Sequence, residues 1–195
     1  MILRRIAAPS IAALALTFTV AACGSAQSTP NNTPATQQSG VLNAADITFA
    51  QGMIAHHQQA IEMADIALDP ASGAGAEVID LATRIKGAQG PEVATMTDWL
   101  TKAGEPVVAD VGGGQAMSTM DGMMTKDQMD AMAAMTGPEF DKVWLGMMIS
   151  HHEGAISQSQ AVKKNGSNAD VLTLADDIIS AQQAQITEMK ALLKS

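Results

Sequence analysis

The stretch Met53–Met63 reads MIAHHQQAIEM, and a close copy returns at Met148–Ile156 as MISHHEGAI. The chain contains 4 histidines, and all of them stand in these two His-His pairs. The copies belong to a longer repeat in which residues 46–100 align with residues 141–193, first at an offset of 95 residues and then of 93. A repeat of this kind predicts two copies of one supersecondary unit.

Local signals within each copy predict a pair of helices. Aromatic residues make up only 3% of the chain, tyrosine is missing and methionine reaches 14, which favours helices over sheets. The expected helices run from an Asn43 cap to about Leu68, from about 76 to 102, from Pro138 to about 164, and from an Asn168 cap to near 194. The sequence therefore predicts an all-α fold, a four-helix bundle built from two repeated helix hairpins.

A connector of residues 103–137 joins the two hairpins. A short extra helix is expected over Thr125–Met135, because Thr125 and Gln128 have capping-box spacing. Gly90-Pro91 interrupts the second long helix, where a proline costs about 3 kcal/mol. We therefore expect a bend at this point, or a break into two pieces.

The N-terminus has the features of a bacterial lipoprotein. Residues 1–22 combine two arginines, an apolar run too short to span a membrane, and small residues, as export signals do. They end in Val20-Ala21-Ala22-Cys23, which fits the lipobox pattern of aliphatic, small, small, cysteine. Cys23 is the single cysteine, which excludes an internal disulfide and predicts lipid attachment, the alternative being a cleaved signal without a lipid. Residues 23–41 are uncharged and rich in Ser, Thr, Pro, Gln and Asn, so we expect a disordered tether followed by a bundle domain at 42–195. The predicted location is the extracytoplasmic face of the cell membrane.

The charge of the chain limits its partners. The formal net charge is −9, and loss of Arg4 and Arg5 with the leader makes it more negative. Such a surface repels nucleic acid. The sequence also contains no phosphate-binding loop, nucleophile triad or basic patch. The expected partners are metal ions, and the membrane through the lipid on Cys23.

The histidines stand among apolar residues. Projection of the first helix places His57 in the middle of the apolar stripe and His56 at its margin, and the repeat makes His152 central and His151 marginal. Met53 and Met148 each precede a His-His pair by three and four residues, a spacing that makes side chains neighbours on a helix. Thioether and neutral imidazole together suit Cu(I), and imidazole also suits Cu(II) and zinc. One interpretation is therefore a metal site inside the bundle.

Polar residues of the second and fourth long helices face the same interior. They are Gln89, Glu92, Gln182 and Gln185. Buried polar groups without partners cost about 1–3 kcal/mol each, so these side chains could satisfy the imidazoles near the bundle axis. The alternative interpretation is therefore a purely structural polar layer, in a protein that is a non-catalytic interaction or scaffold module.

Seven further methionines occupy the connector. Met117, Met120, Met123 and Met124 lie in a polar, glycine-rich stretch with no apolar stripe nearby. Thioethers bind Cu(I) or silver without deprotonation, so these four either capture metal or form a mobile cap over the bundle. Met129, Met132 and Met135 have helical spacing and are expected to pack.

The doubled motif MI-x-HH-x-x-AI, followed in each copy by LA-x-x-I-x-x-AQ, resembles the bacterial family catalogued as domain of unknown function 305. The resemblance covers Leu42 to the C-terminus and implies a ferritin-like four-helix bundle that binds copper outside the cytoplasm. It implies ligands at His56, His57, His151, His152, Met53, Met148 and Met63. The chain departs from the family at Gln158, where methionine is common, at Gln185, where glutamate is usual, and at Gly90-Pro91.

The expected function is copper capture, storage or resistance by an exported, lipid-anchored protein that is not an enzyme. An oxidative di-metal enzyme of similar fold would need Glu-x-x-His on paired helices, and the sequence has none. Glu62 also projects away from the stripe that holds His57. The main alternative remains the scaffold module with a structural His/Gln layer.

Overall fold

The computed structural model describes residues 40–107 and 120–194. The predicted export signal, Cys23, most of the predicted tether and Met117 lie outside the described residues. Within the described ranges the chain forms five α-helices and no strand: α1 (Ala44–Leu68), α2 (Ala76–Ala103), α3 (Lys126–Ala133), α4 (Gly137–Asn165) and α5 (Ala169–Leu192), with a 3₁₀ turn at Pro70–Ser72. The predicted all-α bundle of two hairpins is confirmed. None of the helices in these ranges is long and apolar enough to cross a membrane.

The helix ends follow the local signals in the sequence. Asn43 caps α1 in a reciprocal capping box with Asp46, and Asn168 caps α5 by accepting from two backbone N–H groups. Thr125 and Gln128 form the predicted capping box of α3, which ends at Ala133 rather than at Met135. Caps of this kind satisfy backbone donors that a helix cannot satisfy itself.

The second long helix contradicts one expectation. α2 continues through Gly90-Pro91 without a break. Proline at this position removes the hydrogen bond to the carbonyl of Gly87, four residues earlier. Gly87 is exposed and nothing lies within 4 Å of where a Cβ on it would stand, so water can reach this carbonyl and bond to it instead. Of the two expected outcomes, the break into two pieces is therefore wrong, and the bend stays a prediction.

The two hairpins meet through α1 and α4. α1 packs along α2, and α4 packs along α5. α1 runs antiparallel to α4, because Gly52 lies near Gln158 while Met63 contacts Trp144. One anchor of this contact is the buried Trp144 of α4, whose Nε1–H donates to the carbonyl of Met63 at 2.9 Å.

A pseudo-two-fold axis relates the hairpins. His56 and His151 occupy equivalent repeat positions, and their rings contact each other with centroids 3.8 Å apart. Equivalent residues of two related units can meet only at the axis. Asp46 accepts from the N–H of Asn168, just before α5, and Asp141 accepts from the N–H of Gly75, just before α2. Each repeat thus supports the start of the other repeat's second helix.

The core has two apolar parts with a polar layer between them. The first core contains residues 60–67 of α1, 78–85 of α2, 140–149 of α4 and 186–189 of α5. The second core contains residues 49–54, 96–100, 155–162 and 171–178 of the same helices. Met129 and Met132 are buried in the first core and Met135 packs against it, as predicted. In each long helix, the polar positions singled out in the sequence fall in the gap between the two cores.

Candidate metal centre

The polar layer excludes water almost completely. All four histidines are 0% exposed, and Gln89 and Gln182 are 3% exposed. A layer with apolar packing on both sides has a low local dielectric, which makes every unpaired polar atom costly. The partners of each side chain in the layer therefore decide what the layer can do.

Two histidines have one partner each, in equivalent arrangements. His57 Nε2 lies 2.7 Å from Glu92 Oε2, and His152 Nε2 lies 2.7 Å from Gln185 Oε1. A carboxylate or amide oxygen can only accept, so in both rings Nε2 carries the hydrogen and Nδ1 carries a lone pair. Both Nδ1 atoms are buried without a hydrogen-bond partner. The hydrogen bonds thus leave a nitrogen on each ring available to a metal.

The expectation that Gln89 and Gln182 satisfy the imidazoles is wrong. Their Oε1 atoms are buried and have no hydrogen-bond partner. Glu92 and Gln185, one turn further along α2 and α5, reach the rings instead.

The other two histidines contact each other across the axis. The rings of His56 and His151 are inclined by 43°, and neither Nδ1 nor Nε2 of either ring has the geometry of a hydrogen bond, although the backbone carbonyl of Asp121 lies near His56 and that of His56 lies near His151. With the Nδ1 atoms of His57 and His152, six buried ring nitrogens are unpaired. Each would cost about 1–3 kcal/mol if nothing bound it. A purely structural layer accounts for only two of the eight ring nitrogens, the Nε2 atoms of His57 and His152.

The distinction between central and marginal histidines is also wrong. His56 and His151 are as fully buried as His57 and His152. α1 is covered on two sides, because His56 faces α4 through His151 while His57 faces α2 through Glu92. The buried part of α1 is therefore wider than a single apolar stripe.

Burial keeps three of the rings neutral. It lowers the pKa of His56 to about 3, helped by the neighbouring His57 and opposed by the nearby backbone carbonyl of Asp121. Burial lowers the pKa of His152 to about 4, and the hydrogen bond to Gln185 opposes the shift. Burial and the neighbouring His56 hold the pKa of His151 well below its usual value. Neutral imidazoles are the form that binds metal, so these rings need lose no proton on binding.

Buried thioethers lie on both sides of the layer. Met53 belongs to the second core, Met63 and Met148 belong to the first, and all three are 0% exposed. Across residues 40–107 and 120–194, no three His, Cys, Asp or Glu side chains converge in a group that could hold a metal ion. An ion in this layer would therefore need sulfur ligands in addition to imidazole.

Residues 121–124 of the connector contact both α1 and α4 beside the pseudo-two-fold axis. The N–H of Met124 donates to Gln59 Oε1 at 2.7 Å, and Gln59 Nε2 donates to the carbonyl of Met124 at 2.8 Å. The backbone of Asp121 also approaches Gly154 of α4. A Cβ added to Gly154 would lie 2.0 Å from the carbonyl oxygen of Asp121. Gln59 and Gly154 are equivalent positions of the repeat, so the connector contacts both halves beside His56 and His151.

The connector methionines differ in burial. Met124 is 9% exposed and belongs to the first core, so the expectation that it has no apolar surroundings is wrong. Met120 and Met123 are half-buried, and Met120 Sδ lies 3.7 Å from where a Cβ on Gly52 would stand. The contacts of Gln59 and Gly154 with residues 121–124 were not predicted from the sequence, although the first copy has glutamine at position 59 where the second has glycine at position 154.

Residues 46–193 match the model of the family described as domain of unknown function (DUF305). The chain belongs to this family. Similar solved structures include a DUF305 protein from Streptomyces coelicolor that is assigned as secreted, with 29% identity over 77% of this chain and 91% of that one and a TM-score of 0.70. A comparison with curated proteins finds no match.

A second similar structure carries metal. CopM in its Cu(II)-bound form is 33% identical to this DUF305 protein, over 76% of this chain and 95% of that one, with a TM-score of 0.65. The Cu(I)-bound form of CopM matches with 30% identity and a TM-score of 0.63, and a silver-bound form with 31% and 0.62. The family resemblance inferred from the sequence is confirmed.

Proposed function

We propose that this DUF305 protein is an exported, lipid-anchored copper-binding protein that captures Cu(I) or Cu(II) at the extracytoplasmic face of the cell membrane, for storage or resistance, and catalyses no reaction. One observation carries the proposal: six imidazole nitrogens are buried in the middle of the bundle without hydrogen-bond partners. The similarity to CopM, which has been solved with copper and silver, supports it.

The donor types favour a soft ion. The layer offers neutral imidazoles at His56, His57, His151 and His152, and the flanking cores offer the thioethers of Met53, Met63 and Met148. Uncharged nitrogen and sulfur ligands suit Cu(I) and silver, whereas zinc sites usually close with four nitrogen, oxygen or thiolate ligands. We therefore expect Cu(I) to bind more tightly than zinc.

The N-terminal features support the location. The lipoprotein-like residues 1–22 and Cys23 favour export and anchoring, and the secreted assignment of the Streptomyces coelicolor relative agrees with export. A thioether site also suits an extracytoplasmic protein, because methionine needs no deprotonation and forms no disulfide.

The alternative function is a scaffold with a structural polar layer. The hydrogen bonds of His57 with Glu92 and of His152 with Gln185 favour it. It does not explain why the ring nitrogens of His56 and His151 are buried without hydrogen bonds at the axis. Metal binding explains these nitrogens, because a bound ion would be their partner.

The ligand set can be tested by anaerobic Cu(I) titration combined with X-ray absorption, in a Cys23→Ser background that removes the thiol. We expect copper with both sulfur and nitrogen neighbours. Met148→Leu should lower the sulfur count and the affinity, because it removes a buried thioether four residues from His152. Met132→Leu is the matched control, since Met132 is equally buried but lies on α3. A protein that binds no Cu(I) would favour the scaffold.

The role of the connector can be tested with two glycines of α4. Gly154→Ala places a Cβ 2.0 Å from the carbonyl oxygen of Asp121, so residues 120–124 must move away from the histidines. We expect fewer Cu(I) ions bound per chain, with helicity by circular dichroism unchanged. Gly146→Ala is the control, because nothing lies within 4 Å of its added Cβ. If Gly154→Ala kept the full stoichiometry, Met120, Met123 and Met124 would be a cap and not ligands.

A further inference from the structure

The two halves of the polar layer have the same geometry but different charge. We define the first half-site as His57 with Glu92, and the second half-site as His152 with Gln185. Both pairs are related by the pseudo-two-fold axis, and both have the same 2.7 Å distance from Nε2 to oxygen. The pairs themselves differ in that one contains a carboxylate and the other an amide, and their surroundings differ at Met63, which is matched by Gln158 in the second copy.

We propose that the half-sites are unequal, and that the first half-site binds a soft monovalent ion more tightly than the second. The proposal rests on the proposed function, since it assumes that the layer takes up such an ion. It assigns Glu92 and Gln185 as the positioning residues that set affinity, through His57 and His152.

The carboxylate acts in two ways. A carboxylate that accepts the hydrogen of an imidazole fixes the tautomer and makes the opposite ring nitrogen a stronger donor. It also places a negative charge near an ion that enters a layer of low dielectric, where a cation among neutral ligands is costly. The amide of Gln185 fixes the same tautomer but supplies no charge. Outer partners of this kind change metal affinity by roughly 10- to 100-fold.

Glu92 contacts the polar layer through His57 and forms no ion pair with a lysine or arginine of the described residues. Its side chain is 21% exposed, so water stabilises one side of it while the other side contacts the buried His57. Among the ion pairs of the described residues, Glu92 pairs with His57 and with no lysine or arginine. No lysine or arginine in the described part of the chain therefore forms an ion pair that offsets this charge before a metal ion arrives.

Unequal half-sites give the protein one retained ion and one exchangeable ion. The first half-site would fill first and release last. The second would take up an ion only when more is present, and would return it first.

The experiment uses the mature protein with Cys23→Ser, labelled with ¹⁵N at histidine and titrated with Ag(I), which is not reduced or oxidised during the measurement. Before any metal is added, both His57 and His152 should be observed as Nε2–H tautomers; an Nδ1–H tautomer in either ring would overturn the proposal. On titration, the ring signal of His57 should change at lower Ag(I) than that of His152, with affinities about tenfold apart or more.

Reciprocal substitutions test the cause. Glu92→Gln should bring the two affinities together at the weak value, and Gln185→Glu should bring them together at the tight value. The double variant Glu92→Gln/Gln185→Glu has the composition of the wild type and should invert the filling order. Glu62→Gln is the control, because it removes one negative charge from the exposed face of α1.

The possible results are distinct. Parallel changes of His57 and His152 in the wild type, or a filling order that the double variant does not invert, would overturn the proposal while copper binding still stood. An equal effect of Glu62→Gln would overturn it too, because net charge would then be the cause. If the protein bound no Ag(I), that result would contradict the proposed function itself.

Discussion

The free energy of unfolding is expected to fall steeply as the pH is lowered from about 6.5 towards 4. His56, His151 and His152 have folded-state pKa values below the ordinary value of 6.5, because burial disfavours the charged ring. The unfolded chain binds protons at these residues at a pH where the folded chain does not. Acid therefore favours the unfolded state.

The sign and range of the effect follow from the pKa values. Stability is fully present above about pH 6.5 and is lost as the pH falls towards the folded pKa, which is about 4 for His152 and about 3 for His56. Below pH 6.5, each ring that stays neutral in the folded state lowers the free energy of unfolding by about 1.4 kcal/mol per pH unit. His56 and His152 together would remove about 3–4 kcal/mol between pH 6.5 and pH 5, and His151 adds a loss of the same sign. A loss of this size is a large part of the stability of an ordinary domain.

The measurement is urea denaturation of the metal-free protein, followed by circular dichroism at several pH values. The double variant His56→Leu/His151→Leu should show a much flatter dependence, because it removes two of the three rings and replaces them with apolar groups that need no partner. Equal denaturation midpoints at pH 7 and pH 5 in the wild type would contradict the expectation.

Asp46→Ala is expected to lower the free energy of unfolding by about 3–5 kcal/mol, since it leaves several backbone donors without a partner at roughly 1–3 kcal/mol each. The carboxylate of Asp46 is 0% exposed. It accepts from the N–H groups of Asn43 at 2.9 Å, Ser167 at 3.1 Å and Asn168 at 3.2 Å. These contacts join the start of α1 to the start of α5.

The repeat supplies the matched control for this substitution. Asp141 is the equivalent residue, but it is half-buried and its backbone partner is the N–H of Gly75 alone. Asp141→Ala should therefore cost about 1 kcal/mol, the usual net value of one hydrogen bond. Both values can be measured by urea denaturation at pH 7. Similar losses in the two variants would show that the contacts between α1 and α5 carry little of the stability.

The fold could be predicted from the sequence because its signals are local and repeated. Asn43, Asn168 and the Thr125–Gln128 pair are caps that act within a few residues, and the internal repeat fixes the hairpin pairing. The continuity of α2 could not be predicted in the same way. It depends on whether the carbonyl of Gly87 faces solvent, which only the packed structure reveals.

The residues of the site could be predicted from the sequence, but the hydrogen-bond partners of the histidines could not. The sequence identifies the four histidines and their methionine neighbours. It cannot distinguish Gln89 from Glu92 as the partner of His57, because residues three apart share a helix face. The burial of His56 depends on α1 having two neighbouring helices, and a projection of one helix assumes a single buried face. The contact of Gln59 with Met124 joins residues 65 positions apart, so no local pattern predicts it.

The axis between His56 and His151 gives this chain the geometry of a dimer whose two subunits are joined by a covalent link. In a true homodimer every substitution appears twice, so glutamate could not become glutamine on one side only. Joining the subunits lifts that restriction, and each half can then specialise while the ring-to-ring contact in the middle stays the same. The glutamate at 92 opposite the glutamine at 185 is a difference that only a fused pair can have.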